Sequence, residues 1–317
     1  MQGDKFIVSR DHGHLLAVAI STDDKTGNGI AVFNSETTTF RTLDSSPSVY
    51  TNLSWRKDSS DLSALKSTTD EKHDGPGNLA LAWTSLGQPS ETALTYDSAK
   101  DSKFPTGMRL VSYRKPSWSE TGSEVFLGIA AWNEKPATKT AKDGKEEDEP
   151  AAVDVWHWRD ADVMPKQKKS AAQDRRRNML AVWHLYSNSL VQLGHTLQGQ
   201  VTPLKHQNLA YSTDWHAYAM ERSIERPATD LSLVDLATGT ETKLKDRLAD
   251  DRYLQASPRG KYLLYLQSDH YWTIDTATKA TVNITRNVKT SFIDKESDDT
   301  IKQLPPFGVA GWTKDDR

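Results

Sequence analysis

Ser257-Pro258-Arg259-Gly260, running into Tyr262-Leu263-Leu264-Tyr265-Leu266, reads as a tight polar turn followed by an apolar strand. Pro and Gly belong at such a reversal because one presets φ near −65° and the other accepts positive φ. Comparable phrases stand elsewhere in the chain. They are Ser9-Arg10-Asp11-His12 before residues 15–19, Arg56-Lys57-Asp58-Ser59 before 62–65, and Ser119-Glu120-Thr121-Gly122 before 125–129. Ser212-Thr213-Asp214-Trp215 before 217–220 reads as the fourth, and Thr313-Lys314-Asp315-Asp316 opens a sixth. The positions Asp11, Asp58, Thr121, Asp214, Arg259 and Asp315 lie 47, 63, 93, 45 and 56 residues apart. Multi-strand repeats of about 40–50 residues are the signature of propeller blades. The pattern predicts an all-β chain, a β-propeller of four-stranded antiparallel sheets. It predicts five blades and the start of another, with insertions in the wide intervals.

A chain of 317 residues with 36% hydrophobic content buries a core, and as a propeller all of 1–317 counts as one domain. Ten Trp and ten Tyr suit pleated strands. The net charge of −3 gives no reason to expect a polyanionic partner or an anionic membrane. Without Cys there are no disulfides, thiolate metal sites or Cys nucleophiles, and the compartment stays open. Met1-Gln2-Gly3-Asp4-Lys5-Phe6 lacks the apolar core of a signal peptide, and no apolar run reaches membrane-spanning length, so the chain as given reads as soluble.

Along the chain, 15–20, 29–33 and 38–43 read as the strands of a first blade, with Asn34-Ser35-Glu36-Thr37 as a turn. Asx and hydroxyl side chains bond the backbone in such turns, and the device recurs at Asp235-Leu236-Ala237-Thr238-Gly239 and Asp275-Thr276-Ala277-Thr278. Residues 52–55, 62–66, 79–83 and 93–96 form the second blade, with 70–77 a loop. In the third region, 134–150 is so rich in Lys, Glu, Asp and Thr that it reads as a mobile charged insertion. Val153-Asp154-Val155-Trp156-His157-Trp158 alternates like a strand, and 179–185 and 190–193 follow as two more. One blade with a large insertion, rather than two blades, is the favoured reading. The fourth and fifth blades occupy 209–244 and 253–285, and 294–300 is an acidic loop. A blade's lone first strand leaves an open edge, so the sequence reads as an excerpt lacking further blades.

The chemistry-bearing motifs are sparse. There is no G-x-S-x-G nucleophile elbow, HExxH, P-loop or G-x-G-x-x-G, so no catalytic, cofactor-binding or metal residues are assigned. Gly27-Asn28-Gly29 reads as a hairpin turn, since no helix follows it to cradle phosphate. His12 and His14 lack a third metal ligand. Lys166, Lys168, Lys169, Arg175, Arg176 and Arg177 form a basic cluster without the aromatics that would stack bases, and read as a solvated connection facing the acidic stretch 145–149. The pairs Asp23/Asp24, Asp250/Asp251 and Asp298/Asp299 read as solvated loop charge.

Three segments carry a resemblance. They are Glu149-Pro150 with Val153-Asp154-Val155-Trp156-His157-Trp158-Arg159-Asp160; Arg175-Arg176-Arg177 with Met179-Leu180-Ala181-Val182-Trp183-His184-Leu185; and Pro305-Pro306-Phe307-Gly308-Val309-Ala310-Gly311-Trp312. With them the chain resembles the N-terminal β-propeller of the prolyl oligopeptidase family of serine peptidases, in particular its bacterial dipeptidyl-peptidase and acylaminoacyl-peptidase-like members. The resemblance implies a propeller that caps an α/β-hydrolase domain bearing a Ser-Asp-His triad and admits only short peptides. That partner domain would lie beyond Arg317, so no triad residue carries over and no activity is expected of this chain alone. The compartment stays unassigned, with a periplasmic or secreted parent as one reading. Two other readings stand beside this one. A free-standing propeller would serve as a protein-binding scaffold, and a propeller glycosidase would need paired inward carboxylates.

Overall fold

The computed structural model describes residues 5–10, 13–22, 26–134, 157, 160, 162–223, 227–249, 251–298 and 304–317. The chain divides into two compact units, Met1–Lys139 with Arg177–Leu193, and Thr140–Arg176 with Gly194–Arg317.

The first unit is built from three antiparallel sheets. The first runs in order through β1 (Lys5–Arg10), β2 (Leu15–Ser21), β3 (Gly29–Asn34) and β4 (Thr39–Ser45). The second joins β5 (Tyr50–Trp55) and β6 (Leu62–Thr68) to β8 (Gly77–Thr84) and β9 (Thr92–Tyr96), with a short β7 (His73–Asp74) between. In the third, β10 (Met108–Val111) and β11 (Ser117–Trp118) both pair with β12 (Glu124–Ala131). Next, β13 (Asn133–Glu134) forms a two-residue ladder with β7. β12 pairs directly with β14 (Met179–His184), which pairs with β15 (Ser189–Gln192). The third region therefore makes one sheet, with the insertion between its second and third strands.

Helix α1 (Met164–Asp174) belongs to the second unit. A fourth sheet follows in the order β16 (Gly199–Pro203), β17 (Leu209–Asp214), β18 (Thr229–Asp235), β19 (Glu241–Leu248). The fifth is β20 (Gln255–Ala256), β21 (Tyr262–Gln267), β22 (His270–Asp275), β23 (Thr281–Asn283). Each is an up-and-down antiparallel meander, the blade of a β-propeller, and that is the fold class of the chain.

Between sheets lies the core. Alternate side chains of a strand point to opposite faces, so a sheet covered on both sides reads as a near-continuous apolar run. In β12, Val125 to Ala130 are all buried. One layer packs Leu15, Ala17 and Ile30 of the first sheet against Tyr50, Leu62 and Trp83 of the second. The next packs Leu65, Ala80 and Tyr96 against Leu127, Ile129 and Trp183 of the third. In the second unit, Leu231 and Leu233 of β18 pack with Leu263, Tyr265 and Ile274 of the fifth sheet. Truncating a fully buried aromatic such as Trp183 removes about 3–5 kcal/mol.

A second set of contacts joins the turns between the first and second strands of successive sheets. Arg56 Nε is 2.6 Å from Asp61 Oδ2 within its own turn, while Arg56 Nη1 donates to the Glu120 carbonyl of the next at 3.1 Å. Gly122 of that next turn lies against the same arginine: a Cβ there would stand 2.8 Å from Arg56 Nε. In the second unit, Gln207 Nε2 donates to the Arg259 carbonyl at 3.1 Å, and Arg259 N donates to Asp316 Oδ1 at 2.8 Å. Gly260 sits on the preceding turn so closely that a Cβ would meet the Lys205 carbonyl oxygen at 2.7 Å.

Four features differ from the sequence reading or fall outside what the structure describes. Ser212-Thr213-Asp214 is not the fourth turn. It is the end of β17, with Ser212 and Thr213 buried and paired to both neighbouring strands. The turn is Lys205-His206-Gln207-Asn208, closed by Leu204 N donating to the Leu209 carbonyl, with His206 at φ 56°. Residues 217–220 are accordingly 3₁₀-helical rather than a strand. The fourth feature is the segment 134–150, which lies outside the described residues apart from Glu134, the last residue of β13, as does 153–158 apart from His157.

The two roles of Gly260 are separable by substitution. Gly87 shares its positive φ (77° against 69°) but a Cβ on Gly87 would meet nothing within 4 Å. Gly87→Ala is expected to lower stability by about 1–2 kcal/mol, the cost of the left-handed backbone alone. Gly260→Ala should lose about 3 kcal/mol, because the Lys205 carbonyl must also shift. Urea denaturation of both variants checks this; equal losses would remove the contact from the account.

Candidate functional site

The motifs singled out in the sequence resolve into local structure. Asn28 is buried, its Oδ1 accepting from Thr22 N at 2.6 Å and its Nδ2 donating to the Ser48 carbonyl at 3.1 Å, so Gly27-Asn28-Gly29 is a pinned hairpin connection. His14 Nδ1 lies 3.8 Å from Glu36 Oε1 at a half-buried position, while His12 lies outside the described residues. Among the described residues no three His, Asp or Glu side chains group as metal ligands.

Lys166, Lys168 and Lys169 fall on α1, and Arg175, Arg176 and Arg177 follow its C-terminal end. The helix buries no residue, which is why its sequence carries no apolar stripe to announce it. Lys166 Nζ pairs with Asp162 at 2.5 Å. The acidic stretch 145–149 lies outside the described residues, as do Asp23, Asp24, Asp250 and Asp299. Asp251 begins a short 3₁₀ turn, and Asp298 sits in a loop.

Polar clusters that sequence reasoning did not pick out lie on the sheets. Tyr50 OH donates to Asp44 Oδ2 at 2.6 Å, Lys66 Nζ donates to the same oxygen at 2.9 Å, and Ser46 Oγ lies 2.8 Å from the phenol. Ser, Tyr, Lys and Asp together invite a catalytic reading, and the electrostatics run against it. Burial alone would raise the Asp44 carboxyl, but bonds from Tyr50 and Lys66 outweigh it and hold it below the ordinary carboxylate range. Burial and the Asp44 carboxylate push the Tyr50 phenol up. Burial alone would lower Lys66, but its bonds to Asp44 and Tyr50 push it up. General-base or nucleophilic work would need the phenol or the amine depressed toward neutrality. Here each group is locked in its resting charge state, so the cluster is a clamp from β4 and β5 to β6.

The second unit repeats the device. Tyr218 OH donates to Asp230 Oδ1 at 2.7 Å, and Lys243 Nζ donates to Asp230 Oδ2 at 2.9 Å. In the first unit, Tyr96 OH also donates to Asp101 Oδ2, at 2.7 Å, and burial together with that carboxylate raises its phenol strongly.

The arrangement least explained by packing lies on the first strands of the second and third sheets. In β5, Asn52 and Leu53 stand opposite Ala64 alone, a bulge that puts Asn52 at φ 59°. On the third sheet, Val111 pairs with Gly128 and Ser117 with Phe126, so Ser112-Tyr113-Arg114-Lys115-Pro116 loops out opposite Leu127. The two irregularities are joined: Asn52 Nδ2 donates to the Ser112 carbonyl at 2.9 Å and reaches the Arg114 carbonyl at 3.4 Å. Arg114 crosses Gly128, where a Cβ would meet Arg114 Cβ at 2.9 Å, and its Nε donates to Asn178 Oδ1 at 2.8 Å. Arg109, on β10, is 3% exposed; its Nη1 donates to the carbonyls of Pro76 at 2.8 Å and Asp74 at 3.2 Å. Its guanidinium carbon lies 4.9 Å from the Trp132 ring, and His73 stacks on Trp132 at 4.8 Å. Tyr113, 42% exposed, brings its OH to 3.5 Å from Arg109 Nη2.

No family model matches the sequence, and no curated protein matches it. Solved structures align with it at low similarity. A prolyl endopeptidase aligns at 12% identity and TM-score 0.40, over 89% of this chain and 35% of its own. The β-propeller domain of the trilobed protease from Pyrococcus furiosus aligns at 12% and 0.37, over 90% and 73%. The Pyrococcus horikoshii acylaminoacyl peptidase aligns at 13% and 0.39, over 90% and 40%. The chain thus spans about a third of the length of that endopeptidase. At these values no residue role passes from one protein to the other.

The Asp44 clamp has a pH signature. A depressed carboxyl contributes stability above the unfolded carboxylate range, lost as pH falls through its folded value. Asp44→Asn should therefore be less stable than the parent sequence at neutral pH, the gap closing below about pH 4. Lys66, pushed up, contributes below its unfolded value and loses that contribution as pH rises through its folded one, so a Lys66→Met deficit should persist to about pH 10 and then close. Urea midpoints across pH read both; a deficit independent of pH would assign the effect to packing.

Proposed function

We propose that this chain is the non-catalytic propeller portion of a prolyl oligopeptidase-like serine peptidase, acting as a cap that filters peptide substrates by size. Its partner in that reading is an α/β-hydrolase domain. The reading is supported first by the residues that carry the resemblance. Leu180-Ala181-Val182-Trp183 forms the buried centre of β14, so part of one segment that carries the resemblance is also a segment the sheet depends on. A filter must hold its shape, and the turn-to-turn bonds that add to the apolar layers supply a means of doing so. The titratable clusters on its sheets hold their ordinary charge states, which suits a frame rather than a reaction centre.

Labelling tests the proposal. Purified chain should release no chromophore from prolyl or acylaminoacyl peptide substrates and should take up no fluorophosphonate, since a serine nucleophile needs a base and an oxyanion hole. Stoichiometric labelling of any serine would overturn the non-catalytic assignment.

A further inference from the structure

Arg109 and Arg114 occupy one face of the third sheet. Arg109 pairs with Ala130 and Arg114 lies over Gly128, and residues two apart on β12 point to the same side. Neither guanidinium meets a carboxylate among the described residues. Arg109 donates to two backbone carbonyls and leans on Tyr113 OH, and its buried Nε has no partner. Arg114 bonds an amide oxygen, and burial pushes its pKa down with no neighbouring charge to offset the effect. Lys115, exposed beside them, forms no ion pair among the described residues.

Two largely desolvated cations with no carboxylate partner among the described residues are an unfavourable arrangement for a merely structural bulge, since a buried charge is normally paired. An anion arriving at the bulge would relieve that penalty, which is how a preformed site gains affinity. The geometry also selects the anion. The Arg109 guanidinium stands 3.5 Å from the Tyr113 OH, and an arginine fork on this face, as Arg114 offers, holds a planar carboxylate by two parallel N–H bonds. Arginine also pairs with phosphate, but 112–116 contains no glycine and leads into a strand, so it lacks the nest of backbone N–H groups that many phosphate sites add.

We propose that the bulge 112–116 is a carboxylate-binding site, in which Arg114 and the Tyr113 hydroxyl contact the ligand, Arg109 supports Tyr113 from beneath, and Lys115 steers the anion in. The carboxylate could come from the C-terminus of a short peptide or from a small organic acid. The peptide source rests on the function proposed above; the site itself does not.

Calorimetric titration of the 317-residue chain with an N-acetylated dipeptide acid, its C-terminal amide, glutarate and inorganic phosphate tests this. The expected result is binding of the free acid and a loss of about tenfold or more for the amide, the worth of one charge-assisted hydrogen bond. Arg114→Gln should lose at least as much, and Arg114→Lys, which keeps the charge and discards the fork, should recover it only in part. Should Arg114→Gln fail to fold, Tyr113→Phe and Lys115→Gln provide the same comparison, the latter flattening the salt dependence. Glutarate binding without peptide binding supports the site and assigns it to small acids. Equal affinity for acid and amide, phosphate binding as tight as either carboxylate, or no binding of any carboxylate overturns the proposal. None of these outcomes bears on serine labelling, so this inference and the peptidase reading fail separately.

Discussion

The rest of the structure depends on the contact in which one turn rests on the turn before it. A four-stranded meander has two apolar faces and cannot bury both alone, so each sheet is stable only when stacked on another. Apolar layers supply most of the energy but are poorly directional, and a layer of Leu, Ile and Val permits sliding. The turns remove that freedom. With Gly260 against the Lys205 carbonyl and Arg259 N bound to Asp316, the fifth sheet has a set position on the fourth, and the segment ending at Arg317 a set position on the fifth. Arg56, Asp61 and Gly122 do the same for the second and third sheets. The glycines are required twice over, by backbone angle and by the carbonyl or guanidinium against them.

Strands and most turns were legible because they are local: apolar runs, Asx and hydroxyl turns, and Gly or Pro at reversals are properties of a few consecutive residues. The misplaced fourth phrase shows the limit. Ser212-Thr213-Asp214 has turn residues, yet its backbone groups are taken up by strands on both sides. The working turn, Lys205-His206-Gln207-Asn208, achieves positive φ with a histidine and so lacks the expected Gly, Pro or Asp. Only the pairing of β16 with β17, a non-local fact, decides between them. Helix α1 escaped for the opposite reason. It buries nothing, so no periodic apolar signal exists to read.

The candidate site was illegible for a deeper reason. Arg109, Arg114 and Asn52 are ordinary polar residues in sequence, and what distinguishes them is the register of strands that leaves five residues of one opposite a single residue of another. Conversely, the run of lysines and arginines is conspicuous because most of it lies at the surface, where composition is least constrained by packing. The clusters with the most catalytic appearance, Tyr50 with Asp44 and Lys66 and its counterpart around Asp230, act as clamps once the direction of each proton equilibrium is considered.

The direct pairing of β12 with β14 has a consequence for how this chain can change. Their six-residue ladder, from Glu124 opposite His184 to Ile129 opposite Met179, is made by strands whose facing ends are some fifty positions apart in sequence. The entropy of closing so long a connection rises only logarithmically, about 0.6 kcal/mol for each doubling. The sheet is therefore nearly indifferent to how much polypeptide is threaded between its second and third strands. That point is a port in the architecture, where a lineage could lengthen, shorten or exchange a segment without renegotiating the register of the strands on either side.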